Sequence, residues 1–327
     1  MSQILKQPEV NLLEQLMPYK QNELSSTQFN LAVQVSYFDC GGMTVCVCFR
    51  HVLADAVAAL NFIKSWATVA CDGGNHLIEN VVFDCTSCFP PQDNLESYAQ
   101  KLHDSSRETV TKRFVFEGSK ISALREKIGN RPTRYEALFA LMWGAVTGAA
   151  KGEKDGHREF VLDTAVNLRK RLNPPIPEQC IGNILVIVRG SLPTEETIDY
   201  KSYVEGIREL MSLVNEDHVK KASPYGWLLN RVKNDHGVGR NKTMRSFSIS
   251  SCGRLPLYEA DFGWGKPIWA TIVARQVGDN IFGLLDTSDG QGMEGWVVMS
   301  KEEMDQFEQG PLFLLMLLLI QAYHHFR

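Results

Sequence analysis

Across 327 residues no long block of lysine and arginine appears; 34 basic side chains stand against 38 acidic ones, for a formal net charge of −4. Tracking a phosphate backbone needs a concentrated cationic surface, so nucleic acid is excluded as a partner. Long apolar runs are missing too. The run Leu312–Ile320 in "PLFLLMLLLIQAYHHFR" is nine residues, where a membrane-spanning helix needs about 20, so no membrane partner is expected. The opening stretch "MSQILKQPEVNLLEQLMPYKQNE" is polar and broken by proline, unlike a secretory signal, and the triplet Asn241-Lys242-Thr243 carries no weight as a glycosylation acceptor. Paired metal-binding cysteines are lacking. Of eight cysteines only Cys85 and Cys88 make a Cys-x-x-Cys, with no second such pair to complete a zinc site. All eight are therefore read as reduced thiols in a cytoplasmic protein.

Familiar catalytic signatures are absent as well. There is no G-x-S-x-G for a serine hydrolase and no H-E-x-x-H for a zinc enzyme. Asp261-Phe262-Gly263 has no glycine-rich loop or HRD-type loop to make it part of a kinase. "GVGRNKT" fails as a phosphate loop because Asn241 stands where glycine is required.

What is present is 44% hydrophobic content, enough for a sizeable core and for two domains. "FNLAVQVSYFDCGG" and "MTVCVCF" predict a hairpin over residues 29 to 49. Apolar residues at Ala56, Ala59, Leu60, Ile63 and Ala67 predict a helix from Leu53 to Ala70, ended by Asp72-Gly73-Gly74. Residues 72 to 111 read as a polar, proline-marked linker, and a second domain begins at "VTKRFVFE". Thr133 and Glu136 form a capping box that opens a long helix. "REFVLDTAVNLRKRLNPPIP" predicts a strand running into a basic loop, and a helix is expected near 200 to 216. Strands are predicted at "SFSIS", "IWATIVARQV", "NIFGLLDTS" and "GWVVMS". A last helix starts at Ser300 with Glu302 and Glu303 in its first turn, where their charge suits the helix dipole. The terminal apolar run reads equally well as a buried helix or as an exposed, membrane-touching tail. The class is α/β with a mixed sheet.

The corner of "CFRHVLADAVAAL" carries the chemistry. His51 sits where a strand gives way to a helix, a place from which α/β folds present side chains to a cleft. A neutral imidazole there can take a proton from a hydroxyl at cellular pH; a satisfied buried histidine is the other reading. Asp55, four residues on, either orients His51 or makes a structural ion pair; the structural role is favoured, with Arg169 as leading partner. In "LYEADFGWGKP" two glycines flank Trp264 and permit a tight turn, which Asp261 can anchor with a salt bridge. A histidine base without a protein nucleophile points to direct transfer onto an acceptor that the base activates.

The ordered pair H-x-x-x-D at His51 to Asp55 and D-F-G-W-G at Asp261 to Gly265 resembles the BAHD family of plant acyl-CoA-dependent acyltransferases. "YFDCGG", "VTKRFVF", "AVNLRKRLNPPIP", "IGN" and "RLPLYEADFGWGKP" extend the resemblance along most of the chain, toward the branch of alkaloid and alcohol acetyltransferases. It implies a two-domain chloramphenicol-acetyltransferase-like fold with a channel between the domains: residues 1–92, a linker at 93–111, and residues 112–327. His51 is the implied general base. Asp55, Arg169, Asp261, Gly263, Trp264 and Gly265 are implied to be architectural, and Asn167, Arg171 and Asn183 to contact the donor or line the channel. The implied substrates are an acyl-CoA, by default acetyl-CoA, and an alcohol or amine acceptor from plant specialised metabolism. No permanent cofactor or metal is implied, and a monomer is expected.

Four departures qualify that picture. His51 comes early for the family, so on the order of a hundred residues of the first domain are expected to be missing and that domain incomplete. Arg50 stands where serine or asparagine is usual, and Cys252 where tryptophan is common. The C-terminal run does not follow the usual ending. A second reading follows, a non-catalytic remnant that at most binds a CoA ester or a partner chain, and its exposed apolar surface should self-associate.

Overall fold

The computed structural model describes residues 4–5, 8–19, 29–75, 78, 81–86, 109–150, 159–192, 199–214, 244–272 and 280–309. The apolar run 312–320, the sequon at Asn241 and most of the expected linker lie outside these.

Strands β1 (Leu31–Tyr37) and β2 (Met43–Phe49) form the antiparallel hairpin that alternation predicts, with Leu31 opposite Phe49 and Tyr37 opposite Met43. Its turn closes as Phe38 N–H donates to the Gly42 carbonyl at 2.9 Å. A short helix α1 (Val10–Glu14) precedes the hairpin and a 16-residue helix α2 (Ala56–Cys71) follows it. Helix α2 begins three residues later than its apolar spacing suggests, because Asp55 is its N-cap and accepts the Ala58 N–H at 2.9 Å.

A six-stranded mixed sheet makes up the rest. Its strands are β3 (Thr109–Phe116), β4 (Glu159–Asn167), β5 (Leu185–Ser191), β6 (Met244–Ser251), β7 (Ile281–Asp286) and β8 (Met293–Ser300), in the order β3-β8-β7-β6-β4-β5. The β4–β6 and β6–β7 pairs are parallel and the others antiparallel. On one face lie helices α3 (Gly118–Ile128), α4 (Arg134–Ala150), α5 (Tyr200–Ser212) and α6 (Lys301–Gln309), with α4 in the middle of the layer. Residues Ala137 to Trp143 of α4 are buried on all sides, against Phe247, Phe282, Leu284 and Val297 of the sheet. The alternate residues Leu285 and Trp296 point to the opposite face, where they pack with Leu13 of α1, Leu60 of α2 and Leu257. Covered on both faces, β8 is buried from Met293 to Met299, as a nearly continuous apolar run requires.

The capping box forms as the sequence predicts: Glu136 N–H donates to Thr133 Oγ1 at 3.2 Å and Thr133 N–H to the Glu136 carboxylate at 2.7 Å. Four elements have no counterpart in the sequence reading: α1, β3, β5 within "IGNILVIVRGS" and α3 within "GSKISALREKI". One expected strand is not formed over its described part, 268–272. There the Tyr258 hydroxyl bonds the backbone of Ala270 at 3.3 and 3.4 Å, and the Trp269 indole N–H donates to Glu294 at 3.0 Å. Side chains thus satisfy groups that a sheet ladder would have used.

The reading of every cysteine as a separate thiol is also corrected. Cys85 and Cys180, 95 positions apart, are joined as a disulfide. The approach follows from a single parallel bridge between Val82 and Cys180, in which Ile181 N–H donates to the Val82 carbonyl at 2.9 Å. Part of the segment read as linker is thereby held against the loop that precedes β5. Among the described residues no helix is long and apolar enough to cross a membrane.

Candidate active site

Strand β2 and helix α2 meet in a turn at 50–53, closed by Leu53 N–H to the Arg50 carbonyl at 2.9 Å. His51 and Arg50 both lie exposed on it. The His51 backbone is fixed from across the molecule: Asn183 Nδ2 donates to its carbonyl at 2.6 Å. Its imidazole makes no hydrogen bond or ion pair with the described residues.

Asp55 is the opposite case. It is 3% exposed and Arg169 is fully buried. Arg169 Nη1 donates to Asp55 Oδ2 at 2.8 Å and Nη2 to Oδ1 at 3.0 Å, a bidentate pair. Ala58 N–H adds a bond to Oδ1 at 2.9 Å and Ile184 N–H one to Oδ2 at 3.0 Å. Four donors use the full acceptor capacity of a carboxylate, so Asp55 has no lone pair to offer an imidazole. Of its two sequence readings, the geometry matches the ion pair. Arg169 also donates to the Cys180 carbonyl at 3.0 Å, and Asp55 N–H to the Gly182 carbonyl at 3.2 Å. The turn bearing His51 is therefore tied to both ends of the loop that joins β4 to β5.

The three residues that the resemblance places on the donor side separate. Asn183 lies at His51. Asn167, exposed at the end of β4, accepts on Oδ1 both the Arg169 backbone N–H at 3.0 Å and Arg169 Nη1 at 3.4 Å. Arg171 turns away, and its Nη1 donates to the carbonyls of Met211 and Val214 at 3.2 and 3.0 Å, at the C-terminal end of α5. Sequence reasoning missed Asn183 as a support for His51; the asparagine in "IGN" was visible, its partner 132 positions away was not.

The D-F-G-W-G segment docks on the far half of α2. Phe262 meets Trp66 edge to face at 4.8 Å and stacks with Trp264 at 5.5 Å, while Lys64 pairs with Glu259. The salt bridge expected of Asp261 is not formed among the described residues. Its Oδ1 instead accepts the N–H groups of Gly263 at 2.8 Å and Gly265 at 3.0 Å. Both glycines have positive φ, 96° and 98°, which brings two N–H groups onto one oxygen and is open to glycine at no steric cost. Trp264 remains 65% exposed. Cys252, after β6, is a half-buried thiol pushed up to about 11 by desolvation and by the negative charge of Asp55.

A model of the Transferase family matches residues 1–314. Limonoid 1-O-acetyltransferase of Citrus sinensis is 45% identical over 94% of this chain and 73% of its own length. Stemmadenine O-acetyltransferase of Catharanthus roseus is 30% identical over 96% of this chain and 74% of its own. Among solved structures, vinorine synthase superposes with a TM-score of 0.77 at 28% identity, covering 96% of this chain and 72% of that one.

Proposed function

Because the chain belongs to the Transferase family, the BAHD acyl-CoA-dependent acyltransferases, we propose that it carries an acetyl group from acetyl-CoA to a hydroxyl of a polycyclic plant metabolite, with His51 as general base. The observation that carries the assignment of the base is the contrast within one motif: His51 exposed and unengaged, Asp55 buried and saturated.

In this mechanism the acceptor oxygen gives its proton to the imidazole as it attacks the thioester carbonyl carbon. A C–O bond forms and the carbonyl electron pair moves onto oxygen. Collapse of the tetrahedral oxyanion breaks the C–S bond, and the departing thiolate takes the proton back from the imidazolium. The products are an ester and free CoA, with His51 restored. A positioned base of this kind contributes about 100- to 10,000-fold in rate. Asn183 and the Asp55–Arg169 pair hold the turn, and Asn167 keeps its amide N–H groups for the donor. Arg171 serves the donor side only through the end of α5 that it binds.

The hydroxyl of a limonoid-type skeleton is the first acceptor to try, since 45% identity to a limonoid acetyltransferase exceeds 30% to an alkaloid one; an alkaloid alcohol or an amine comes next. Residues 1–92 and 112–327 are read as the two domains, supported by the separation of the β1–β2 sheet from the six-stranded sheet. The cytoplasm is the proposed location.

The test is acetyl transfer by the purified chain, with His51→Ala as control. Turnover that drops at least about 100-fold in the variant, with calorimetric binding of acetyl-CoA retained, supports the assignment. An unchanged rate removes His51 as the base, and binding without turnover in the parent chain favours the non-catalytic reading.

A further inference from the structure

Among the described residues Cys40, Cys46, Cys48, Cys71 and Cys252 are free thiols, and Cys85 and Cys180 alone are bonded. The two ends of that bond are unlike. Cys180 is fully buried. Cys85 is half-buried and sits in the middle of a turn that Asp84 closes, its Oδ1 accepting the Thr86 N–H at 2.8 Å and the Thr86 hydroxyl at 2.6 Å. A thiol in solution therefore meets the Cys85 sulfur first, and exchange depends on which sulfur can be reached.

Cys180 also begins the run of residues that supports the His51 turn. Its carbonyl accepts from Arg169 Nη2 at 3.0 Å, and the Gly182 carbonyl accepts the Asp55 N–H at 3.2 Å. Asn183 donates to the His51 carbonyl at 2.6 Å, and Ile184 N–H to Asp55 Oδ2 at 3.0 Å. Behind this run lies the segment 81–86. Val82 and Cys85 pack against the core cluster that holds Cys180 and Ile184. Besides the disulfide, Ile181 N–H to the Val82 carbonyl at 2.9 Å ties the segment to the loop.

Where glutathione keeps thiols reduced, a protein disulfide is usually transient and redox-sensing, and the cytoplasm is the location proposed above. We infer that Cys85 and Cys180 form a thiol switch, which tightens the support of the His51 turn when oxidised and loosens it when reduced. Its effect on rate rests on the reading of His51 as base; its effect on the loop does not.

In the reducing direction a glutathione thiolate attacks Cys85 Sγ, the S–S bond breaks, and Cys180 leaves as a thiolate that takes up a proton. A second glutathione attacks the mixed disulfide, which yields the Cys85 thiol and oxidised glutathione. Two electrons thus pass from two glutathione molecules to the protein, and oxidation by oxidised glutathione is the reverse. With the bond open, the segment 81–86 keeps its backbone tie to Ile181 and withdraws cover from Cys180 and Ile184. The loop then shifts against the turn, and the Asn183 bond to His51 is the contact most sensitive to that shift. Reduction should lower kcat roughly 2- to 10-fold, the loss expected for that bond, and leave KM for acetyl-CoA within about two-fold.

The test equilibrates the full chain over a series of ratios of reduced to oxidised glutathione and traps thiols with N-ethylmaleimide. Peptide mass mapping should find Cys85 joined to Cys180 at the oxidising end and both alkylated at the reducing end, with the folded circular dichroism spectrum kept throughout. Hydrogen exchange of the unaltered chain should be faster in the reduced state at the amides of Asp55, Ile181 and Ile184. Turnover should follow the disulfide fraction, and Cys85→Ser should match the reduced parent at every ratio. A bond that never forms, or that opens only as the chain unfolds, overturns the inference. So does exchange at these amides that is equal in both states, turnover that ignores the disulfide fraction, or a redox response that Cys85→Ser retains. If neither state turns over any substrate, the acyl-transfer reading fails, and trapping and exchange alone decide the switch.

Discussion

Asn183 donates a 2.6 Å hydrogen bond to the backbone carbonyl of His51 across 132 positions of sequence. It grips the main chain and leaves the imidazole alone, so its influence on the reaction is positional. A single such bond is worth about 0.5–1.5 kcal/mol net. Asn183→Ala should therefore lower kcat by roughly 2- to 10-fold and leave KM for acetyl-CoA within about two-fold. A raised KM with kcat unchanged would instead make Asn183 a donor contact, the role that the family resemblance implies.

The Asp55–Arg169 pair is buried and bidentate. Removing one partner strands the other charge away from water, at a cost of about 3–5 kcal/mol. Arg169→Met should lose stability of that size in urea unfolding. Arg169→Lys should recover only part of it, because an ammonium cannot reproduce the two parallel bonds. Equal stability of all three proteins would show that the pair contributes nothing to the folded state.

Glu136 closes the capping box of α4 and accepts two bonds from Arg208, Nε and Nη2 both at 2.9 Å. Burial alone would raise its pKa, but the Arg208 bonds and charge and the Thr133 bonds outweigh it, and the value is lowered from 4.5. A depressed carboxylate stabilises the fold fully above its unfolded value and ceases to as pH falls through the folded one. Glu136→Gln should thus cost about 1–2 kcal/mol at pH 7, and the gap from the parent should close below about pH 4. Chemical denaturation at a series of pH values measures this directly; a gap independent of pH would contradict it.

Cys252, held up to about 11, is about one thousandth thiolate at pH 8, and the thiolate is the reactive form. Cys40 and Cys71 are exposed. Iodoacetamide at pH 8 followed by peptide mass mapping should label those two first, with Cys252 slower by at least about ten-fold. Labelling of Cys252 at the same rate would mean that the thiol is more open than its packing against the second core implies.

Much of this molecule was legible locally. The hairpin, α2, the capping box of α4 and the strands β7 and β8 are written in short-range periodicity and end signals. The ion pair of Asp55 was legible too, because a carboxylate beside a strand-to-helix corner needs a cation and "NLRKR" supplies one. What escaped depends on distant partners. "ILVIVRGS" becomes β5 by lying beside β4, and Cys85 meets Cys180 because Val82 pairs there. "IWATI" has strand-like composition, yet Tyr258 and Glu294 take its polar groups. Asp261 was read as half of a salt bridge when two glycine N–H groups were enough to satisfy it.

The four bonds at Asp55 also bear on how the chain comes apart. Its Oδ1 caps a helix locally, while its remaining acceptor sites are filled from the β4–β5 loop, 114 and 129 positions downstream. With those donors withdrawn, the cap is a carboxylate with one bond of its four, and α2 loses its best-defined end. The helix and the β4–β5 loops should then open as a single cooperative unit and not fray in sequence. A lesion in either would be felt at once in the other, and the turn that presents His51 lies at the seam between them.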